Sequence, residues 1–256
     1  MSTPLVAIIG CQARAHYLDA QRQTWVPTLL CDHQFFLGQE FFLGQEGGKR
    51  LFWEISEDEV VLPVPDDYFS LPDKVQAAIQ WALARSYNSL FVVDDDTYVN
   101  GANLASAFSD FAKHDYVGRQ RPDSSYLSGA AYYLGPQAMN ALADARVPST
   151  VKADLGFPAF PYLEGWIHHV LIKNELKIQA DPRIKFSNAP ADKNIAFEEW
   201  DANTVADFEW SGREMFARHN QGKDSNLHVF PSVEWRLRNL EFQVSPQCAT
   251  LQEKRF

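Results

Sequence analysis

The chain has 256 residues, 46% of them hydrophobic and 22% charged, with a formal net charge of −10. This composition is that of a globular protein and excludes a disordered or fibrous one, and folding at this length removes roughly 73% of the unfolded chain's surface from water, enough for one large domain. The acidic balance excludes duplex nucleic acid as a partner, because phosphate binding requires an excess of Lys and Arg.

Residues 1–4 lead into Leu5-Val6-Ala7-Ile8-Ile9-Gly10. The run is too short to span a bilayer, no basic segment precedes it and no small-residue cleavage site follows, so it reads as a first buried strand. No later stretch is long and apolar enough to cross a membrane. Cys11, Cys31 and Cys248 are scattered without C-x-x-C spacing. They predict a reducing compartment with neither a disulfide framework nor a Cys-zinc site. A cytoplasmic location is the expectation.

A helix over 17–25 follows, then a strand over 35–43. Here Phe35-Phe36-Leu37-Gly38-Gln39-Glu40 is repeated at once as Phe41-Phe42-Leu43-Gly44-Gln45-Glu46. The copy length is even, so strand facing survives it and either copy suits a buried strand. Two copies of so short a period are a local duplication and not a solenoid. A third strand is expected over 60–64. Ser70, Leu71, Pro72 and Asp73 carry the chemistry of a helix start, with a capping hydroxyl, an early Pro and an early acid. Val75, Ala78, Ile79 and Ala82 then recur at helical spacing, and Asn88 breaks the pattern. Residues 89–93 form a short apolar strand with Asp94-Asp95-Asp96 at its carboxyl end. A helix over 103–113, a strand over 130–134 and helices over 136–145 and 164–173 complete the order. Alternating strands and helices predict a single α/β domain with a mostly parallel sheet covered on both faces.

Ligands of open α/β sheets bind outside the carboxyl ends of the strands, which is where the three aspartates lie. In extended backbone Asp94 and Asp96 share one side and Asp95 takes the other. Two carboxylates on one side repel unless a cation or a shared proton offsets them. A hard divalent ion accepts one or two carboxylates and completes its shell with phosphate oxygens and water. The position between an apolar strand and Thr97-Tyr98-Val99-Asn100 favours a metal–diphosphate site, Asp96 as ligand and Asp94 toward a ribose, over a solvated acidic turn. No GxxxxGK[ST] or GxGxxG follows the first strand, and Ser128-Gly129 is not part of a GxSxG elbow. His168 and His169 are neighbours on a helix and point about 100° apart, which suits a zinc site poorly; at least one is expected to be packed or on the surface. The acidic segments 54–59 and 198–201 are expected to be solvated faces.

Several segments, taken in order, resemble the family 31 glycosyltransferases, the β-1,3-galactosyl-, β-1,3-N-acetylglucosaminyl- and Fringe-type enzymes. They are Arg22-Gln23-Thr24-Trp25, the Phe-Leu-Gly strand, Asp67-Tyr68 through Leu71 to Lys74, and Asp94 through Asn100. Tyr126-Leu127-Ser128-Gly129 with Tyr132-Tyr133-Leu134, and Leu227-His228 followed by Pro231 and Trp235, continue the series. The resemblance implies a GT-A fold, a Rossmann-like and mostly parallel sheet flanked by helices, as one domain over 1–256. About residues 1–118 would form its nucleotide-sugar half and about 119–256 its acceptor half. It implies a UDP-sugar donor, Mn2+ or Mg2+, and inverting transfer of galactose or an N-acetylhexosamine to a sugar hydroxyl. A β-1,3 linkage in glycan, lipopolysaccharide or capsule synthesis follows, with a carbohydrate or glycolipid acceptor and possible peripheral contact with the inner face of a membrane. Carried over residue by residue, Asp96 and His228 would hold the metal, and an imidazole among oxygens tilts the preference toward manganese. Arg22, Lys74, Asp94, Asp95, Ser128 and Gly129 would contact the sugar nucleotide or its surroundings.

Inverting transfer requires a carboxylate that takes the acceptor hydroxyl's proton. The family's acid pair aligns with Pro161-Tyr162-Leu163-Glu164-Gly165-Trp166-Ile167, and the second acid, ordinarily the base, falls on Gly165. Glu164 is therefore the candidate catalytic base; its other reading is an N-terminal helix acid favoured by the dipole. Ala130-Ala131 stand where the family carries more glycine. Tyr162 and Trp166 either present aromatic faces to a sugar ring or pack in the core. Two rivals stay open: a metal-dependent phosphohydrolase using the aspartates, and a catalytically inactive sugar-nucleotide or carbohydrate-binding module, which Gly165 allows.

Overall fold

The computed structural model describes residues 4–39, 54–56, 58–68, 70–120, 126–147, 163–187 and 205–209. In chain order, β1 (Leu5–Ile9) is followed by α1 (Ala15–Gln23), β2 (His33–Gln39), β3 (Glu54–Ser56), β4 (Glu59–Pro65), α2 (Leu71–Ala84), β5 (Leu90–Asp94) and β6 (Thr97–Val99). Then come α3 (Gly101–Phe111), β7 (Tyr116–Gln120), β8 (Leu127–Leu134), α4 (Pro136–Asp144), α5 (Leu163–Lys173), β9 (Ile178–Ala180), β10 (Ile184–Ser187) and β11 (Ala206–Glu209). The main sheet has the order β3-β4-β2-β1-β5-β8-β7-β9, and β10-β11-β6 form a small second sheet. β4, β2, β1 and β5 run parallel, while β8 runs antiparallel to both β5 and β7. The 118/119 division expected between two halves falls inside β7.

The expected strands and helices are present, with ends shifted by a few residues. The first copy of the duplicated hexapeptide supplies β2; the second lies outside the described residues. The short strands β3, β6, β7 and β9 to β11 had no periodic signal, since three to five residues are too few to establish one. Within the acidic segment 54–59, residues 54–56 form β3, an antiparallel edge neighbour of β4, and Glu59 opens β4.

β1 is buried along its whole length, as a central parallel strand covered on both faces must be. Its residues alternate between two cores. Leu5, Ala7 and Ile9 join Val92, Tyr132 and residues of α2, α4 and α5; Val6 and Ile8 join Val93, Tyr133, Trp25 and residues of α1 and α3. Each fully buried Phe or Ile there contributes about 1.5–3 kcal/mol. Helix ends are set by side chains the sequence only partly indicated. The Ser70 hydroxyl makes no capping bond; instead the Ser70 N–H donates to Asp67 Oδ1 at 2.7 Å. Asn100 caps α3 by accepting from the Asn103 N–H at 3.1 Å. A Cβ on Gly101 would lie 2.3 Å from the Thr28 carbonyl oxygen, so only glycine allows α3 to start so close to that backbone. Among the described residues no helix is long and apolar enough to cross a membrane.

Candidate active site

β1, β2, β4 and β5 are parallel, so the segments that follow them gather along one edge of the sheet. Asp66, just after β4, ties three of these segments together. Its carboxylate accepts the Gln12 N–H at 2.7 Å and the Gly38 N–H at 2.8 Å, and receives the Lys74 ammonium at 2.6 Å. Lys74 also donates to the Gly10 carbonyl at 3.0 Å. A Cβ at Gly38 would meet Asp66 Cα at 2.5 Å, which is why glycine is required where β2 passes β4. Lys74 therefore reaches the predicted edge, but as a buried strut, 3% exposed, whose ammonium is engaged by protein oxygens.

The acidic turn departs from the expected geometry. Regular strand ends at Asp94, and Asp95 and Asp96 form a turn before β6 leaves for the second sheet. Period-two alternation therefore does not carry through, and Asp95 and Asp96 act together. Arg14 Nη1 lies 3.0 Å from Asp95 Oδ1, and Nη2 lies 2.9 Å from Asp96 Oδ2. Asp94 follows the alternation of β5 onto the α5 face. Burial, then Asp96, Asp95 and Glu164, push its carboxyl well above the ordinary range, with Arg14 pulling the other way. Burial opposes the charge on Arg14, but Asp95 and Asp96 outweigh it and hold the guanidinium protonated.

Glu164, in the first turn of α5, approaches β8 at Gly129. The Gly129 N–H donates to Glu164 Oε1 at 3.3 Å, and a Cβ at Gly129 would sit 3.0 Å from the Glu164 side chain. The Asp94–Asp96 turn borders the same stretch of β8, since Val93 pairs with Ala131 and Thr97 Oγ1 donates to the Ala130 carbonyl at 3.1 Å. Ser128 precedes Gly129 in β8. Arg22 is not part of this group. It is bidentate to Asp58 at 2.8 and 3.0 Å, pairs with Glu59 at 2.6 Å and stacks 4.2 Å over Phe35. His228 lies outside the described residues, as does Tyr162. Trp166 is a core residue, 4% exposed. His169 is exposed, and the partly buried His168 packs edge-on against Tyr126 at 5.0 Å, with burial lowering its proton affinity.

Three residues of the site were not recognised in the sequence. Arg14 pairs with Asp95 and Asp96 at the acidic turn. Gln21, fully buried, donates to the carbonyls of Asp94 at 3.1 Å and Thr97 at 3.2 Å and so fixes both ends of the turn. Asp66 organises the strand ends. Gln21 and Arg22 are adjacent on α1 and diverge by about 100°, which sends one to the turn and the other to the start of β4.

The donor set is carboxylate oxygen, which suits magnesium or manganese, and the crowding of acids around Asp94 fits an added positive charge. Among the described residues no three ligating side chains converge as a cage, so such a cation would draw further ligands from a bound phosphate, from water or from beyond those residues. The two described thiols, Cys11 beside the site and Cys31 at the opposite, amino end of the parallel strands, are unreactive in character. Cys11 and Cys31 are free, and burial pushes each up to about 11. At pH 8, iodoacetamide should label both about a hundredfold more slowly in the native protein than in urea, because only the thiolate reacts. Peptide mass spectrometry over time reads this; equal rates would mean that both sites are open.

The structure overlaps that of a glycosyltransferase involved in the glycosylation of the major capsid of PBCV-1, with a TM-score of 0.52 at 15% identity, over 85% of this chain and 100% of the other. The fold is of the GT-A type. A structure from Desulfovibrio desulfuricans G20, assigned as a nucleotide-diphospho-sugar transferase, overlaps at TM-score 0.44 and 11% identity, over 71% of this chain and 80% of that one. Apo-form glycosyltransferase GlyE of Streptococcus pneumoniae TIGR4 does so at 0.44 and 10%, over 72% and 46%. The fold assignment rests on the first of these. No protein-family model and no curated protein matches the sequence. In this GT-A sheet the edge bearing Gly10, Asp66 and Asp94 is the ligand edge expected of an open α/β sheet.

Proposed function

We propose that the protein is an inverting glycosyltransferase that moves a sugar from UDP to the hydroxyl of a carbohydrate or glycolipid acceptor. The observation that carries this is that Glu164, seated on Gly129, and the acidic turn, tied to the neighbouring Ala130 carbonyl by Thr97 Oγ1 at 3.1 Å, lie at the same end of β8. The GT-A fold and the order of the segments resembling family 31 support the same reading. Glu164 takes the proton of the acceptor hydroxyl as its oxygen bonds to the anomeric carbon and the bond to the UDP oxygen breaks. Gly129 orients Glu164 through its N–H. Asp94 and Asp95 border the donor's ribose and diphosphate. Asp96, with His228, would hold manganese or magnesium, which neutralises charge developing on the departing diphosphate. Galactose or an N-acetylhexosamine is the sugar we favour, in a β-1,3 linkage formed at the cytoplasmic side of glycan or lipid-linked precursor synthesis.

The test is incubation with manganese and a panel of UDP-sugars, with and without acceptor sugars, followed by UDP release. Acceptor-dependent release is the expected result. Hydrolysis of simple phosphate esters would instead favour a metal phosphohydrolase, and binding without turnover would favour a non-catalytic sugar-nucleotide module.

A further inference from the structure

Accepting the reading above, in which Asp96 is a metal ligand, we propose that Arg14 is a built-in counter-ion of the acidic turn. It holds the Asp96 carboxylate that the divalent cation takes, so that loading the cation and releasing Arg14 are one exchange.

One planar guanidinium spans both acids, with Nη1 on Asp95 at 3.0 Å and Nη2 on Asp96 at 2.9 Å. Arginine's fixed fork can do this; a lysine ammonium is a point charge and cannot serve both equally. The two carboxylates are almost withdrawn from solvent, with side-chain exposures of 5% and 2%. Buried carboxylates are strongly disfavoured without a counter-charge, so the turn needs a cation in every state. Arg14 supplies one from within the chain.

The arm is partly open to water. Arg14 closes a three-residue 3-10 turn, Gln12–Arg14, between β1 and α1, and its side chain keeps 26% exposure. The Tyr17 ring lies 4.3 Å from the guanidinium carbon in this same pose, so release of Arg14 gives up that contact as well. The turn does not depend on Arg14 for its shape, because Gln21 holds the Asp94 and Thr97 carbonyls from the other side. A ligand whose site is occupied part of the time binds with an affinity reduced by the fraction of protein that is competent. Arg14 therefore lowers metal affinity and keeps the metal-free site neutralised.

The experiment is a titration of the full chain with MnCl2 alone, following free Mn2+ by electron paramagnetic resonance, for wild type, Arg14→Met, Arg14→Lys and Asp96→Asn. Arg14→Met should bind Mn2+ more tightly than wild type by on the order of tenfold, with Arg14→Lys between them. Mn2+ should also raise the melting temperature of Arg14→Met more than that of wild type. Wild-type or weaker Mn2+ affinity in a folded Arg14→Met, with binding still abolished in Asp96→Asn, overturns the exchange and leaves the metal reading standing. Mn2+ binding that is unaltered in Asp96→Asn removes the metal reading itself, and the exchange with it. Should Arg14→Met not fold, the comparison of Arg14→Lys with wild type decides: equal affinity overturns the proposal.

Discussion

Replacing Glu164 by Gln is expected to lower acceptor-dependent UDP release by about 10²–10⁴-fold, the usual contribution of a positioned general base. Gln has the same length, and its amide oxygen can still accept the Gly129 N–H that Glu164 Oε1 accepts at 3.3 Å. The side chain should therefore stay in place while losing the ability to take a proton. Affinity for UDP, measured by calorimetry, should change far less than turnover, because Glu164 serves the acceptor hydroxyl while the acidic turn is held by Arg14 and Gln21. Turnover like that of wild type, with UDP bound, would take Glu164 out of the mechanism and favour the reading of this residue as an N-terminal helix acid.

Replacing Lys74 by Met is expected to destabilise the fold by about 3–5 kcal/mol, the cost of stranding one partner of a buried ion pair. Lys74 and Asp66 have side-chain exposures of 3% and 4% and lie 2.6 Å apart, so water cannot take over the lost contact. The Gly10 carbonyl loses its donor as well. Because Asp66 also holds the Gln12 and Gly38 N–H groups, the damage reaches the segment after β1 and the end of β2. A urea titration should show a lower midpoint at an unchanged slope. The Arg22 cluster offers a contrast. Its groups are 27–30% exposed at Arg22, Asp58 and Glu59, so Arg22→Met should cost far less. An unchanged midpoint for Lys74→Met together with lost UDP affinity would move Lys74 from the frame to the ligand.

Much of the sheet could be read from the chain because strands carry their own pattern. The apolar run at 89–93 ending in three aspartates placed the acidic turn at a sheet edge, and β1, β2 and β5 were recognisable from apolar runs, β4 from its Val-Val-Leu core. The alignment of 161–167 pointed to Glu164, and Gly129 turned out to be the residue it rests on. Arg22 lies on Asp58 and Glu59 and not on the acidic turn, an arrangement the sequence does not indicate because a motif position says nothing about which way a helix is rolled against its sheet. Asp58 and Glu59, which capture it, lie 36 and 37 residues away along the chain.

Local chemistry in the amino-acid order was enough to specify an α/β chain with parallel strands and an acidic turn at a strand end, since burial period and turn residues are short-range properties. Which charges meet was settled only by tertiary packing. Arg14 reaches aspartates 81 and 82 positions away, Gln21 reaches the carbonyls that flank them, and Asp66 gathers Gln12, Gly38 and Lys74. Ion pairs and buried hydrogen bonds depend on distances of a few ångströms between segments remote in sequence, and those distances exist only after the sheet has assembled.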